Sequence, residues 1–185
     1  MKAQPKSDQA VEQRRLQELL DRQDILDCIH RYCRGVDRFD RELLLSVYHP
    51  DAIDDHGMFV GGPEAFVDWA FAYHLQYQHC THHIVTNHTC ELKGDMAHTE
   101  TYWMFSGINR EGPPELHFGR YVDRFEKRAG KWAIAARACL IEWGGRLGEI
   151  NMPAEVLAAY AATGTARRDG QDMSYRRPLT VRGAA

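Results

Sequence analysis

The sequence predicts an α+β fold in which N-terminal helices pack on one face of a curved antiparallel sheet and enclose a central cavity. Apolar residues recur at helical spacing from about residue 11 to 36 and again from 63 to 78. After residue 80 the apolar residues alternate instead, in four segments that are separated by turn-forming residues. A run of helices followed by a run of strands is typical of this fold class.

The elements before residue 80 follow from local patterns. A stripe of Ile25, Ile29 and Val36 marks the first helix, from about residue 11 to 36, and Gly35 is a plausible end. A shorter helical pattern covers residues 39–48. Residues 49–62, HPDAIDDHGMFVGG, read as a strand, a turn and a second short strand. Pro63 starts another helix that runs to about residue 78.

The four later segments, 81–93, 96–108, 115–127 and 132–143, are predicted strands of a meander. Asn151 is a good cap for a last helix that ends near Gly164. We therefore predict a disordered N-terminus over residues 1–10, a single domain over 11–163, and an Arg-rich tail over 164–185 that has little to bury.

Composition limits the classes of partner and the compartment. The chain has 185 residues, with 23 Lys and Arg against 26 Asp and Glu, which gives a formal net charge of −3. This balance offers no electrostatic footprint for nucleic acid, and no apolar run reaches the roughly 20 residues that span a bilayer. Five cysteines without framework spacing, and no signal-peptide core, favour a cytoplasmic location.

The stretch CTHHIVTNHTC, residues 80–90, suggests a metal site at first sight. On one strand, however, His82 and His88 lie roughly 20 Å apart, because a strand rises about 3.3 Å per residue. Zinc ligands converge to about 2.0–2.3 Å from one ion. We therefore predict no metal at this stretch, and alternation places His83 on the other strand face, beside Val85.

A lone histidine on a half-buried strand is more often structural than catalytic, so His83 needs a partner. Asp37 is the candidate, because a carboxylate at the end of the first helix opposes the helix dipole, and broken local rules tend to mark functional sites. A His–Asp pair in a cavity forms a general base. The alternative is that Asp37 is a solvated loop residue.

Several other residues could contact a substrate, but each could equally have a purely structural role. In the cluster DDHG, residues 54–57, either His56 or Asp55 contacts the substrate, or the four residues only form the turn of a hairpin. Arg137 in mid-strand either holds a developing oxyanion or makes an ion pair, and Arg120 favours the ion pair. The many aromatic side chains would suit an apolar ligand that contains rings, although they equally suit an ordinary hydrophobic core. The candidates for substrate contact are His56, Asp55, Arg137, Arg120, Tyr102 and Trp143.

Four segments in order resemble the SnoaL-like branch of the nuclear transport factor two-like superfamily, from about residue 22 to 143. They are RYCRGVDRFDRELL, YHPDAIDDHGMFVGG, THHIVTNHTCELKGDMAHTETYW and GRYVDRFEKRAGKWAIAARACLIEW. The resemblance implies a cone of helices against a curved sheet. Similar members include scytalone dehydratase, bile-acid 7α-dehydratase and hexachlorocyclohexane dehydrochlorinase.

The resemblance implies a catalytic histidine and aspartate at His83 and Asp37, with no metal or organic cofactor. Tyr32 matches a tyrosine of the bile-acid enzyme, whereas the dehydrochlorinase has a lysine there, so a dehydratase is the better match. On an ideal helix Tyr32 and Asp37 lie about 140° apart, so both face the cavity only if the helix ends or bends near Gly35.

The predicted function is a cofactor-independent lyase, eliminating water or formaldehyde from a hydrophobic, aromatic or polycyclic small molecule. His83 is the base, Asp37 orients it, and Tyr32 polarises the leaving oxygen. The family also contains isomerases and cyclases, ligand-binding modules and small subunits of ring-hydroxylating dioxygenases, which stay open as alternatives. We also expect a homo-oligomer, a dimer or a trimer.

Overall fold

Helices and strands follow the predicted order in the computed structural model, which describes residues 6–148, 153–162, 164, 166–179 and 181. The helices are α1 (Lys6–Arg38), α2 (Arg41–Leu45), α3 (Pro63–Tyr77) and α4 (Ala154–Ala161). The strands are β1 (Tyr48–Asp55), β2 (Val60–Gly61), β3 (Gln78–Lys93), β4 (Met96–Asn109), β5 (Glu115–Arg128) and β6 (Lys131–Arg146).

The six strands form one sheet in the order β2-β1-β6-β5-β4-β3. The pairs β3–β4, β4–β5 and β5–β6 are antiparallel, as a meander requires. Strand β1 joins the far edge of the meander and runs parallel to β6, a pairing that alternation alone does not indicate. The α+β prediction is confirmed, with one parallel pair inside an otherwise antiparallel sheet.

The chain differs from the predicted elements at its two ends. Helix α1 begins at Lys6, so residues 6–10 are helical rather than disordered. The predicted cap Asn151 lies outside the described residues, and Pro153 occupies the position before α4.

Gly35 serves a different purpose from ending the first helix. A Cβ at Gly35 would lie 2.8 Å from the Cβ of Leu44, so the glycine lets α1 and α2 approach closely. Helix α1 continues without a break to Arg38, and Phe39, in the left-handed region with φ 54°, turns the chain. The side chain of Asp40 then caps α2 by accepting from the backbone N–H of Leu43.

The core lies between the helices and the concave face of the sheet. Its largest fully buried side chains are aromatic and come from α1, α3 and β5, namely Tyr32, Phe66, Tyr121 and Phe125. Each ring that is removed from water contributes roughly 1.5–3 kcal/mol, so this cluster stabilises the cone strongly. Three of these rings, Tyr32, Phe66 and Tyr121, also line the cavity described below.

The Arg-rich tail packs back onto the domain, contrary to the expectation that it has little to bury. Arg168 donates to the backbone carbonyls of His74 and Gln78 at 3.1 and 2.9 Å, where α3 passes into β3. Its guanidinium also lies 4.5 Å from the ring centre of Phe39. Tyr175 donates to Asp40 at 2.7 Å. The tail therefore braces the junction that carries His83.

Among the described helices, none combines the length and the hydrophobicity that crossing a membrane requires. All five cysteines lie in the described part of the chain and are free thiols. The cytoplasmic location and the homo-oligomer stay predictions.

Candidate functional site

The mouth of the cone opens into a largely apolar cavity of about 140 Å³. Helix α1 supplies Tyr32 and Val36, and α3 supplies Phe66, Trp69 and His74. The sheet supplies the opposite wall, with side chains from β4, β5 and β6 that include Trp103, Phe105, His117, Tyr121 and Cys139. Four histidines line this space, namely His56, His74, His83 and His117.

His83 and Asp37 form a hydrogen-bonded pair at the cavity wall. One carboxylate oxygen of Asp37 accepts from the Nδ1 side of the imidazole at 2.7 Å, and the other accepts from the backbone N–H of His83 at 2.9 Å. Both side chains are nearly enclosed, at 9% and 11% exposure. The imidazole therefore has a fixed orientation, and Nε2 is left for the cavity.

Burial alone would raise the pKa of Asp37. The charge of His83 and its hydrogen bonds outweigh burial, so the pKa of this carboxyl lies below its usual value and Asp37 stays ionised. Ionised Asp37 holds the proton of His83 on Nδ1 and leaves Nε2 basic. This is the arrangement of a general base with its orienting partner.

Asp37 reaches His83 without the helix bend that the sequence suggested. Asp37 lies in the last turn of α1 and approaches the imidazole from behind, while Tyr32 lines the cavity one to two turns earlier. Only Tyr32 has to face the cavity, and the 140° separation is therefore no obstacle. The rings of Tyr32 and His83 meet edge to face, with centres 6.5 Å apart.

His74 is a third polar group of the cavity that the sequence did not indicate. Its ring lies edge to face with His83 at 5.6 Å, and its Nδ1 lies 3.1 Å from the side-chain oxygen of Gln78. Burial is the main reason that the pKa of His74 is lowered to about 4, and the charge that His83 carries when it is protonated acts in the same direction. His74 is therefore uncharged near neutral pH and does not compete with His83 for protons.

We expect His74 to make the protein less stable in mild acid. The unfolded chain binds a proton at the ordinary pKa of 6.5 and the folded chain only at about 4. Stability is therefore full above pH 6.5 and falls between pH 6.5 and 4, by on the order of 3 kcal/mol. Urea unfolding at about pH 7.5 and about pH 4.5 measures this loss, and His74→Gln removes most of it. Equal pH dependence in both proteins contradicts the assignment.

A second histidine–aspartate pair contacts the hydroxyl of Tyr32. His56 Nδ1 contacts a carboxylate oxygen of Asp54, and His56 Nε2 lies 3.2 Å from the hydroxyl of Tyr32. Tyr48 donates its hydroxyl to the other oxygen of Asp54. Strand β1 makes this possible, because Ala52 and Asp54 alternate inward while Asp55 points out. The sequence selected His56 but missed Asp54.

Tyr32 is buried and keeps its proton. Burial is the largest influence and raises the pKa of the phenol well above its ordinary value of 10. A protonated phenol that lines an apolar cavity is a hydrogen-bond donor or acid, in keeping with the role expected for Tyr32.

Arg137 lies beneath the cavity and not on its surface. Its guanidinium forms a bidentate ion pair with the carboxylate of Asp123, with N···O distances of 2.7 and 2.8 Å, and both side chains are fully buried. It also lies 4.2 and 4.1 Å from the ring centres of Tyr32 and Tyr121. The expectation that Arg137 holds a substrate anion is therefore not met, since its charge is directed at Asp123 on the neighbouring strand.

Three other candidates lie on the outer face of the sheet. Arg120 forms ion pairs with Glu142 and Glu100 at 2.6 and 2.8 Å, which is the alternative that the sequence favoured for this residue. Tyr102 lies beside that guanidinium and is 41% exposed, so it contacts solvent rather than the cavity. Trp143 stacks on Phe118 with ring centres 4.4 Å apart.

A β-bulge explains the position of Trp143. Gly119 pairs with Ile141, but Phe118 pairs with Trp143, so β6 contains one extra residue at this point. Simple alternation from Arg137 predicts Trp143 on the inner face, and the bulge moves it outward. Asp55 was also expected at the substrate, but it accepts from the backbone N–H of Gly57 in the exposed turn.

A second bulge changes the histidine stretch. Val85 pairs with Trp103 and His88 with Thr101, so β3 contains an extra residue between them. His88 consequently faces inward and bonds Thr101 at 2.8 Å, whereas His82 is exposed on the other face. Within the described residues, no three His, Cys, Asp or Glu side chains converge as metal ligands would.

The comparisons with known proteins agree with this architecture. A family model described as a SnoaL-like domain matches residues 17–138. No match to the curated proteins was found.

Several solved structures share the fold. A hexachlorocyclohexane dehydrochlorinase is 25% identical, with a TM-score of 0.69, over 75% of this chain and 96% of that one. A putative scytalone dehydratase from Novosphingobium aromaticivorans is 17% identical, with a TM-score of 0.64, over 72% and 91%. A putative aromatic ring hydroxylase from the same species is 21% identical, with a TM-score of 0.63, over 70% and 94%.

Proposed function

Since the chain belongs to the family of SnoaL-like domains, we propose that it is a lyase that eliminates a small oxygen leaving group without a cofactor. The observation that carries the proposal is the His83–Asp37 pair at the wall of an apolar cavity. One similar structure, which covers three quarters of this chain, is named a dehydrochlorinase. That name denotes an elimination reaction.

The proposed reaction divides the work between two side chains. His83 Nε2 removes a proton from a carbon that is acidified by a neighbouring carbonyl or phenol. Ionised Asp37 stabilises the imidazolium that forms, because it already accepts the Nδ1 proton. The Tyr32 hydroxyl donates to the leaving oxygen, which departs as water. A positioned base contributes about 10²–10⁴-fold, and the dry cavity contributes by holding the substrate in place.

The size of the cavity favours a small substrate. Its volume of about 140 Å³ is close to the roughly 150 Å³ that holds one benzene ring in an engineered protein cavity. The walls are aromatic, with Phe66, Trp103 and Phe105 around the space. We therefore propose one enclosed six-membered ring, with any further part of the substrate at the mouth.

The test is turnover by the chelator-treated protein. A panel of singly hydroxylated aromatic ketones, diarylpropanes and hydroxysteroids is incubated with wild type, and product masses are read. Loss of water or formaldehyde supports the lyase, and a product of unchanged mass indicates an isomerase or cyclase. Ligands that bind without turnover favour the binding module, and co-purification with a large iron–sulfur chain favours the dioxygenase subunit.

Replacing Tyr32 by phenylalanine is expected to lower kcat for loss of water by about 10²-fold, because the leaving oxygen loses its acid. KM should change little, since the ring and its packing against Phe66 stay. Steady-state kinetics on the panel compound that wild type dehydrates give both constants, and near-UV circular dichroism checks the fold. Unchanged kcat would remove Tyr32 from the mechanism.

A further inference from the structure

Behind Tyr32 lies a group that the proposed reaction does not yet use. His56 Nε2 is 3.2 Å from the Tyr32 hydroxyl, and His56 Nδ1 contacts Asp54. His56 also lines the cavity, with its ring against Phe66 at 4.8 Å and Tyr121 at 6.4 Å. This inference rests on the proposed lyase function and adds the source of the proton that Tyr32 gives away.

The charges of the buried cluster indicate where that proton is stored. Asp54 and Asp123 are each 1% exposed and flank Arg137 on the two neighbouring strands. Arg137 gives Nε and Nη2 to Asp123. Asp54 accepts, among the described residues, only from Tyr48 and His56. A buried carboxylate requires a compensating charge, and His56 is the group in contact that can supply it.

We infer that His56 carries a proton on each ring nitrogen in the resting protein and that the His56–Asp54 pair is the proton relay that recharges Tyr32. In this state Nδ1–H donates to Asp54 and Nε2–H donates to the Tyr32 oxygen. The Tyr32 O–H is then free to point into the cavity. If His56 instead lacked the Nε2 proton, Tyr32 would donate to His56 and would have no proton to offer the substrate.

The proton balance closes within the cavity. His83 Nε2 takes the proton from carbon, the carbon–oxygen bond breaks, and the leaving oxygen takes the Tyr32 proton to become water. Tyr32 takes the Nε2 proton of His56, which becomes neutral. His83 ends as imidazolium, so one positive charge has moved from one histidine to the other. Loss of a proton from His83 to solvent and gain of one by His56 restore the resting state.

The relay agrees with the burial of Tyr32. Because burial raises the pKa of this phenol well above 10, a free phenolate would be costly, and a donor beside the oxygen removes that cost. His56 contacts the Tyr32 hydroxyl, His83 meets the Tyr32 ring edge to face, and all three side chains line the same cavity, so acid and base can serve one substrate. His56 and Asp54 are thus positioning residues that act through Tyr32.

A measurement without substrate tests the proton count. Nitrogen-15 NMR of the histidine-labelled protein at neutral pH reports the protonation of each ring nitrogen, and loss of one signal set in His56→Gln assigns His56. We expect both nitrogens of His56 to be protonated. One unprotonated ring nitrogen on His56 overturns the relay, whether or not the protein is a lyase.

Kinetics then separate the relay from the base. The matched probes are 4-hydroxy-4-phenylbutan-2-one and its 4-fluoro analogue, because fluoride leaves without a proton. His56→Gln should lower kcat about 10²-fold for the hydroxyl compound, with KM nearly unchanged, and only slightly for the fluoro compound. Equal losses on both probes overturn the relay. Absence of turnover by wild type on either probe speaks against these ketones as substrates, and the NMR result then decides the relay alone.

Discussion

His83→Gln is expected to lower kcat/KM for the elimination by about 10²–10⁴-fold, the usual contribution of a positioned general base. Glutamine is similar in length and keeps a donor that can bond Asp37, so the loss should come from the missing base and not from unfolding. The reason is geometric: Asp37 fixes the imidazole by two hydrogen bonds, at 2.7 and 2.9 Å, and directs Nε2 into the cavity. Initial rates on a panel compound that wild type converts give the comparison.

The neighbouring residue provides a matched control. His82 is also a histidine on β3, but it is exposed on the opposite face of the strand. His82→Gln should leave kcat/KM unchanged. Equal losses of kcat/KM in the two variants would mean that the substitutions disturb strand β3 and do not report on the base. Full activity of His83→Gln would rule out the proposed mechanism.

The His83–Asp37 pair was predictable because each residue sits at a position that local rules fix. Asp37 lies at the end of a strongly periodic helix, where its charge is unfavourable. His83 lies between the register shift after Gln78 and the bulge after Val85, so counting by two from Thr81, where the predicted strand begins, gives the correct face. The position of each residue follows from the elements that the apolar pattern specifies, whereas their pairing was indicated mainly by the resemblance to the SnoaL-like family.

Two of the misplaced residues, His88 and Trp143, lie beyond β-bulges. The bulge after Val85 and the bulge before Trp143 each insert one residue, and each reverses the faces of everything that follows. Neither bulge has a signature in its residue types. His88 and Trp143 were therefore assigned to the wrong faces for one common reason, while positions on the near side of each bulge were assigned correctly.

Arg137 illustrates a different limit. The sequence requires a partner for a mid-strand arginine but contains several acidic residues on strands of unknown register. Only the pairing of β5 with β6 puts Asp123 opposite Arg137, and only the parallel pairing of β1 puts Asp54 on its other side. A partner choice of this kind depends on tertiary pairing, which composition and periodicity do not contain.

The same ion pair carries the largest stability effect that we expect. Asp123→Asn should destabilise the protein by about 3–5 kcal/mol, because it leaves the buried guanidinium of Arg137 without its counter-charge. Urea unfolding at neutral pH measures the loss. The matched control is Glu142→Gln, which removes one partner of Arg120 on the exposed sheet face and should leave the unfolding midpoint almost unchanged.

A double variant distinguishes the cost of an unpaired charge from the worth of the pair. Asp123→Leu with Arg137→Met removes both charges and keeps apolar volume, so it should recover a large part of the stability lost in Asp123→Asn. If the double variant is as unstable as the single one, the pair itself stabilises the fold. If it recovers, the pair is retained for another reason, and the stacking of Arg137 against Tyr32 and Tyr121 connects that reason to the cavity.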